Sequence, residues 1–156
     1  LIGDGTGFTA AALSGDVTMA NTGAVTIAST AVETGMLAND SITYDKLGVE
    51  FTASVPLGSA TAIAVNTSLA DVFTFTAGHS ATLNFTDVGI GDIKTFVITG
   101  GGGSYTLTLG TINGSSGTYN ALSTTAYSDT GSAKNLVQIK FVSTSEAWYQ
   151  ISQIAS

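Results

Sequence analysis

Apolar and polar residues alternate along short runs in the larger, C-terminal part of this chain, and turns rich in Gly, Ser and Asn separate the runs. Alternation places successive side chains on opposite faces of a strand, so each run predicts a β-strand with one buried face. Strands this short, with turns this regular, favour an antiparallel β-sandwich of jelly-roll-like form over a parallel sheet. The predicted strands span residues 61–66, 71–77, 80–86, 93–99, 104–112, 118–124, 135–143 and 147–154.

The last two runs predict a hairpin, and their alternation assigns each side chain to a face. The apolar face consists of Val137, Ile139, Phe141, Tyr149 and Ile151. Trp148 then falls on the opposite, polar face with Gln150. An outward Trp is usually buried at an interface or stacked on a ligand. Three interpretations of Trp148 are therefore open: a subunit interface, the rim of the sandwich, or a platform for a ligand.

A Gly/Ser-rich region before the last hairpin carries aromatic and amide side chains of the kind that recognise ligands. Loops of this type are where binding residues concentrate. Tyr119, Asn120 and Tyr127 lie in this region, and together with Trp148 they are the candidate receptor-binding residues. The alternative for the loop residues is an ordinary structural role, in which the aromatic rings cover one end of a sheet.

A short repeat distinguishes the N-terminal third of the chain. The tetrad Val17-Thr18-Met19-Ala20 returns as Val25-Thr26-Ile27-Ala28, with Asn21-Thr22-Gly23 between the two copies. This pattern predicts a hairpin with a turn that needs positive φ. A two-stranded hairpin is only marginally stable on its own in water, so the segment needs something to pack against.

Two short helical turns are predicted after this hairpin. Thr30 and Glu33 have the spacing of a capping box, and residues 41–48 suggest a second turn. Helices this short do not persist in isolation, and three chains around one axis would supply the partner that their apolar stripe lacks. The predicted trimer interface consists of Val25, Ile27, Val32, Met36, Leu37, Ile42 and Leu47.

Composition narrows the possible functions. Only 10% of residues are charged, against about 25% in a typical soluble protein, and Thr, Ser, Ala and Gly fill the difference, which favours β-structure. The net charge is −7 and no cationic cluster exists, so neither nucleic acid nor an anionic membrane is an expected partner. No apolar run reaches the ~20 residues of a membrane span. With no Cys and a single His, we expect no metal site and no cofactor.

Two motifs resemble parts of catalytic or cation-binding sites. Asp129-Thr130-Gly131 matches the active-site string of aspartic proteases, but that chemistry needs two Asp residues sharing one proton, so a plain turn is the preferred interpretation. The acidic loop between Asp87 and Asp92 has the ligand types of a hard cation, although a solvated turn is again favoured. We therefore expect no catalytic residues.

The N-terminal repeat resembles the shaft and neck repeats of bacteriophage tail fibres and related virion appendages. The resemblance is carried by Leu13-Ser-Gly-Asp-Val-Thr-Met-Ala-Asn-Thr-Gly-Ala-Val-Thr-Ile-Ala28 and by Met36-Leu-Ala-Asn-Asp-Ser-Ile-Thr43, and it covers residues 1–48. The remaining two thirds look like a fibre-tip β-sandwich. The resemblance implies a homotrimer with parallel chains, a virion location and recognition of the host surface. It assigns no receptor-contacting residue.

Together these observations predict an all-β protein with two domains. Residues 1–50 form an intertwined trimeric shaft and neck with small helical turns, and residues 51–156 form an antiparallel β-sandwich head. The expected function is a non-enzymatic, extracellular virion fibre whose head binds a bacterial surface glycan or protein multivalently. Because the chain begins at Leu1 rather than Met, we expect a fragment that attaches to other virion proteins through a missing N-terminal region. The alternatives are a capsid decoration or head-fibre protein, a polysaccharide-degrading tip enzyme, and a cellular adhesin module.

Overall fold

The computed structural model describes residues 2–3, 5–9, 15–20 and 22–154, and it divides the chain into two compact units, residues 1–43 and 44–156. Strands account for 43% and helices for 9%, which confirms the predicted mostly-β class. The predicted domain boundary after residue 50 stays a prediction.

Small two-stranded sheets make up most of the regular structure in the 1–43 unit. Its strands are β1 (Ile2–Gly3), β2 (Phe8–Thr9), β3 (Val17–Met19) and β4 (Val25–Ile27). β1 pairs antiparallel with β2, and β3 pairs antiparallel with β4. The second pair confirms the predicted hairpin, and Gly23 in its turn has the predicted positive φ, at 84°. Asn21 of the same turn lies outside the described residues.

The predicted capping box at Thr30 and Glu33 is wrong. Thr30 has a positive φ of 68°, and its hydroxyl donates a hydrogen bond to the carbonyl oxygen of Ser29. The only helical turn described between residues 22 and 43 is the 3-10 helix Thr34–Met36, to which Glu33 makes no side-chain cap hydrogen bond. A helix this short gains too few backbone hydrogen bonds to offset the cost of nucleation, so the capping pattern does not extend it.

The 44–156 unit combines short helices with ten strands over its described residues. The helices are the 3-10 helix Tyr44–Lys46, α1 (Val49–Thr52) and the 3-10 helix Thr67–Leu69. The strands are β5 (Ser54–Pro56), β6 (Ala62–Asn66), β7 (Val72–Thr76), β8 (Ala81–Thr86), β9 (Ile93–Thr99), β10 (Leu107–Ile112), β11 (Ser115–Ser116), β12 (Thr118–Ala121), β13 (Lys134–Phe141) and β14 (Glu146–Ile154). Each predicted strand corresponds to one of these, and β5 and β11 are too short to show alternation.

The chain winds alternately between two sheets from β5 to β10. β5, β7 and β9 lie parallel in a six-stranded sheet of order β12-β14-β13-β9-β7-β5. β6, β8 and β10 lie parallel in a four-stranded sheet of order β11-β10-β8-β6. Parallel neighbours need a connection of about a dozen residues or more. Here a strand of the other sheet provides that connection.

The predicted antiparallel arrangement is therefore wrong for the strands up to β10. In this unit five strand pairs are parallel, including β12 with β14, and three are antiparallel. Alternation shows which face of a strand is buried but not which strand lies beside it, so it does not distinguish a hairpin from a crossover. The hairpin of β13 and β14 is confirmed, with Val137 opposite Ile151.

Both sheets contribute to one hydrophobic core, and Phe85 in β8 lies where their aromatic side chains meet. Its ring makes edge contacts with Phe96 in β9 and Phe141 in β13, at centroid separations of 5.9 and 5.3 Å. Phe73 in β7 stacks on Phe96 at 5.2 Å. All four rings are fully buried. Each sheet packs its apolar face against the apolar face of the other sheet, so neither sheet could bury its own face alone.

Replacing Phe85 by Ala should lower the free energy of unfolding by about 3–5 kcal/mol, because the substitution removes a buried ring and leaves a cavity. Urea denaturation followed by circular dichroism measures the change. Phe51→Ala is the matched control, because that ring is 53% exposed, and its cost should stay below about 1 kcal/mol. Equal losses in the two variants would contradict a core organised around Phe85.

Candidate functional site

The four candidate receptor-binding residues fall into two groups on opposite faces of the six-stranded sheet. In the pairing of β12 with β14, Tyr119 lies opposite Ala147 and Asn120 lies opposite Trp148. Ala147 is fully buried, so Tyr119 faces the core and Asn120 faces outwards. Tyr127, which follows β12, lines the same cavity as Tyr119. The structure thus brings together Tyr119 with Tyr127, and Asn120 with Trp148.

The outward group surrounds an exposed indole. We call it the Trp148 surface, and it consists of Ile93, Asn120, Leu122, Gln138, Lys140, Glu146, Trp148 and Gln150. The Trp148 side chain is 45% exposed, and its Nε1 donates to Glu146 Oε1 at 3.2 Å. Asn120 Nδ2 donates to the same oxygen at 2.7 Å. Glu146 therefore orients both the indole and the amide.

Amide groups and exposed apolar side chains border the indole. Gln150 Nε2 donates to Gln138 Oε1 at 2.7 Å, and a shallow depression of about 230 Å³ lies between these residues and Trp148. Leu122 is 62% exposed beside the depression. Because β14 is not an edge strand, Trp148 lies on the face of the sheet and not at its rim. The surface offers an aromatic face next to hydrogen-bonding amides.

The inward group surrounds a cavity of about 400 Å³ between β10 of one sheet and strands β12, β13 and β14 of the other. We call it the tyrosine cavity. Its lining consists of Leu107, Thr108, Leu109, Tyr119, Thr125, Ala126, Tyr127, Val137, Tyr149 and Ile151. All of these side chains are uncharged, and three of them are phenols.

The wall of the cavity over residues 122–133 is held to β14 by hydrogen bonds, although it contains no strand or helix. The Leu122 amide donates to the Tyr149 carbonyl at 2.7 Å. Gln153 Nε2 donates to the Ala126 carbonyl at 2.6 Å. These contacts fix the side chains that this segment contributes to the cavity.

A buried amide anchors the middle of the same segment. Asn135 in β13 is fully buried, its Nδ2 donates to the Ser128 carbonyl at 2.8 Å, and its Oδ1 accepts from the Ser128 amide at 2.9 Å. Both polar atoms of the side chain are therefore satisfied by one residue of the wall. This reciprocal pair fixes the backbone next to Tyr127.

Asp129 joins the wall to the Gly-rich segment between β9 and β10. Its Oδ1 accepts from the Gly101 amide at 2.9 Å, and its Oδ2 accepts from the Tyr105 amide at 2.8 Å. The Tyr127 hydroxyl also donates to Oδ1, at 3.2 Å. A side chain at position 101 would collide with the Ala77 carbonyl oxygen, so glycine is required for this approach. The Asp129-Thr130-Gly131 motif therefore has a structural role, in which Asp129 links the wall to the Gly-rich segment.

The ionisable groups around the cavity have shifted pKa values. Burial raises the pKa of Tyr119 to about 12. Burial also raises the pKa of Tyr127 to about 12, with further contributions from the negative charge of Asp129 and the hydrogen bond to it. Burial alone would raise the pKa of Asp129, but the hydrogen bonds from Tyr105, Gly101 and Tyr127 outweigh it and lower that pKa. Both phenols therefore stay protonated at neutral pH.

The predicted trimer-interface residues are all exposed in the single chain. Their exposed fractions run from 39% for Leu47 to 62% for Met36. Leu47 belongs to the 44–156 unit, whereas the others belong to the 1–43 unit. No described side chain of the 1–43 unit is classed as buried. The six of these residues that belong to the 1–43 unit thus have no core to join within it.

The described residues contain no group of three or more His, Cys, Asp or Glu side chains arranged to hold a metal ion. In the acidic loop, Asp92 Oδ2 accepts from the Gly89 amide at 3.1 Å and lies 4.0 Å from Lys94 Nζ. Within the same described part, no helix is long and apolar enough to cross a membrane.

Most residues of these sites were not among the predicted ones, and Tyr149 and Glu146 show what the sequence could and could not reveal. Tyr149 was assigned to the apolar face, but its place beside Tyr119 in the cavity depends on the parallel pairing of β12 with β14, which alternation does not reveal. Glu146 was assigned to a turn. Counting two residues back from Trp148 would have placed it on the outward face.

Replacing Asp129 by Asn should destabilise the protein at neutral pH and have less effect in acid. Since the folded-state pKa of Asp129 lies below its ordinary value of 3.8, the carboxylate stabilises the fold above that value, and this contribution disappears as the pH falls through the folded-state pKa. Urea midpoints of the two proteins, measured between about pH 7 and pH 2, should converge at the acid end. A pH-independent difference would show that the carboxylate charge is not what holds the wall.

Comparison with known protein families, with curated proteins and with solved structures finds no match to this chain. Function must therefore be inferred from its own residues and their geometry.

Proposed function

We propose that this chain is a non-enzymatic structural protein of a bacteriophage virion, a trimeric tail-fibre protein whose 44–156 unit binds a bacterial surface glycan. The exposed apolar surface of the 1–43 unit carries the proposal. Soluble monomers rarely leave such surface uncovered, and larger patches of this kind mark association sites.

The β3–β4 hairpin shows how this surface is organised. Val17 pairs with Ile27 and Met19 pairs with Val25, so these four apolar side chains share one face of the hairpin. The Thr18–Thr26 pair occupies the other face. Met19, Val25 and Ile27 are each more than half exposed, so one face of the hairpin is apolar and uncovered.

Association of several chains would stabilise this unit through burial. Fully burying a large aliphatic side chain contributes about 1.5–3 kcal/mol, so covering side chains that are half exposed gives about 1 kcal/mol each. The seven predicted interface residues would then contribute several kcal/mol per chain. This is enough to order segments that are marginal alone. A closed ring of three parallel chains accords with the resemblance to fibre shaft and neck repeats, and rotational symmetry closes the assembly.

In the same proposal the two sheets of the 44–156 unit form a sandwich-like head, and the Trp148 surface is its glycan-binding site. An exposed indole provides an apolar plane for a sugar ring, while the amides of Asn120, Gln138 and Gln150 can exchange hydrogen bonds with sugar hydroxyls. Glu146 keeps the indole in position. Three such shallow sites on one trimer would gain strength through effective concentration, so no deep pocket is needed.

Replacing Met36 and Leu37 together by Ser should weaken trimerisation while leaving the 44–156 unit folded. The substitutions remove two apolar side chains that are 62% and 45% exposed and that have no intrachain core. Sedimentation velocity over a dilution series should show dissociation at a higher concentration than for the parent chain.

Circular dichroism of the same variant should retain the parent β-spectrum. Ile90→Ser is the control, because Ile90 is 69% exposed in a loop of the other unit, and it should not change the mass of the assembly. A fully trimeric double variant would mean that the interface lies elsewhere.

Replacing Trp148 by Ala should weaken glycan binding about 30-fold, since truncating a central Trp costs about 2 kcal/mol at binding sites. Binding of the intact chain to an array of bacterial surface polysaccharides measures the effect. Ile154→Ala is the control on the same strand, where the side chain is 67% exposed and outside the Trp148 surface.

The same variant also tests the subunit-interface interpretation of Trp148. If Trp148→Ala lowers the mass of the assembly, Trp148 serves association and the glycan proposal for this surface fails. If the mass and the binding are both unchanged, the surface has neither role.

A further inference from the structure

The lining of the tyrosine cavity suits a neutral ligand. All ten lining residues are uncharged, and they combine aliphatic side chains with three phenols and two threonines. Asp129 is an ionised group in contact with this lining, because its Oδ1 accepts a hydrogen bond from the Tyr127 hydroxyl. Its negative charge would repel an anionic ligand, and no lysine lines the cavity to bind one.

The hydroxyl groups of Tyr119 and Tyr149 differ in how far they are shielded from solvent. The Tyr119 hydroxyl is shielded from solvent and has no hydrogen-bond partner among the described residues. The ring packs against Phe85 at a centroid separation of 6.4 Å, and it lies so close to the Gly117 backbone that any side chain there would meet it. The Tyr149 hydroxyl has no described protein partner either, but it is not fully shielded. Tyr149 therefore offers the free hydrogen-bonding group.

The cavity is also pre-formed. Its wall is tied to β14 through Leu122 and Gln153, to β13 through Asn135 and to the Gly-rich segment through Asp129. Contacts that fix a wall before a ligand arrives reduce the entropy lost on binding. The hydrogen bonds of these four residues therefore hold the wall in place in the absence of a ligand.

We propose that the tyrosine cavity binds one ring of a neutral sugar, a hexopyranose, with the Tyr149 hydroxyl as its hydrogen-bonding partner and the phenol rings as its apolar walls. At about 400 Å³ the cavity lies near the small end of ligand pockets, which suits one ring better than an extended chain. A pure hydrocarbon would cover the Tyr149 hydroxyl without offering it a hydrogen-bond partner, and that is unfavourable.

This site is separate from the Trp148 surface, because it lies on the opposite face of β12 and β14. The proposal therefore does not depend on the proposed function, and the two can fail independently. Trp148→Ala should leave binding in the cavity unchanged.

The test is a titration of the intact, isotope-labelled chain, followed by NMR chemical shifts. The neutral probes are methyl α-D-glucopyranoside and methyl β-D-galactopyranoside, and the anionic comparison is D-glucuronate. We expect at least one neutral probe to shift the amides of Thr125, Tyr127 and Tyr149 in a saturable way, and glucuronate to bind more weakly.

Two conservative variants of the same cavity sharpen the test. Tyr149→Phe should weaken binding about threefold to tenfold, which is the usual range for loss of one hydrogen bond. Tyr119→Phe is the matched control: it removes a shielded hydroxyl, so binding should not change and the urea midpoint should stay the same or rise. Leu109→Phe, which fills part of the cavity, should abolish binding in a protein that remains folded.

Several results would overturn the proposal. It fails if neither neutral probe shifts the cavity amides, if glucuronate binds as tightly as the neutral sugars, or if Tyr149→Phe binds as well as the parent chain. Equal weakening by Tyr119→Phe and Tyr149→Phe would also contradict it, because the loss would then reflect a general change in the cavity.

Discussion

Mutual burial of two apolar sheet faces is the constraint on which the 44–156 unit depends. The chain passes from one sheet to the other with each strand from β5 to β10, so both faces are completed together. Phe85 shows the consequence, because its partners Phe96 and Phe141 belong to the opposite sheet. The 1–43 unit has no equivalent, and its hairpin leaves Val25 and Ile27 more than half exposed. The larger unit therefore buries its apolar side chains within itself, whereas the 1–43 unit leaves its apolar side chains exposed.

The alternation that builds the core also separates the two candidate binding sites. Neighbouring residues of a strand point to opposite faces, so Tyr119 and Tyr149 enter the space between the sheets while Asn120 and Trp148 face outwards. The outward site is shallow and depends on an aromatic plane held by Glu146. The inward site lies between the two sheets, is partly open to solvent and depends on a wall tied at several points. We therefore propose a polysaccharide for the outward site and a single sugar ring for the inward one.

Local patterns predicted the strands and their buried faces, because both depend on a period of two residues. They placed Trp148 outwards and Ile151 inwards, as the structure does. They failed on strand pairing. The neighbour of β6 is β8, in which Leu83 pairs with Ile63 although it lies twenty residues later in the sequence. They also failed at Thr30, because the segment that follows the capping pattern is too short to sustain a helix. The convergence of Tyr119, Tyr127 and Tyr149 depends on another long-range pairing, that of β12 with β14.

We propose that this chain assembles through its N-terminal unit. The most direct test is the mass of the intact chain in solution, measured by light scattering across a wide range of concentrations. For a trimer we expect a measured mass of three times the chain mass of 15.6 kDa, with dissociation only on strong dilution. A mass of 15.6 kDa at every concentration would rule out the trimer, because the exposed apolar face of the 1–43 unit would then have no partner to cover it.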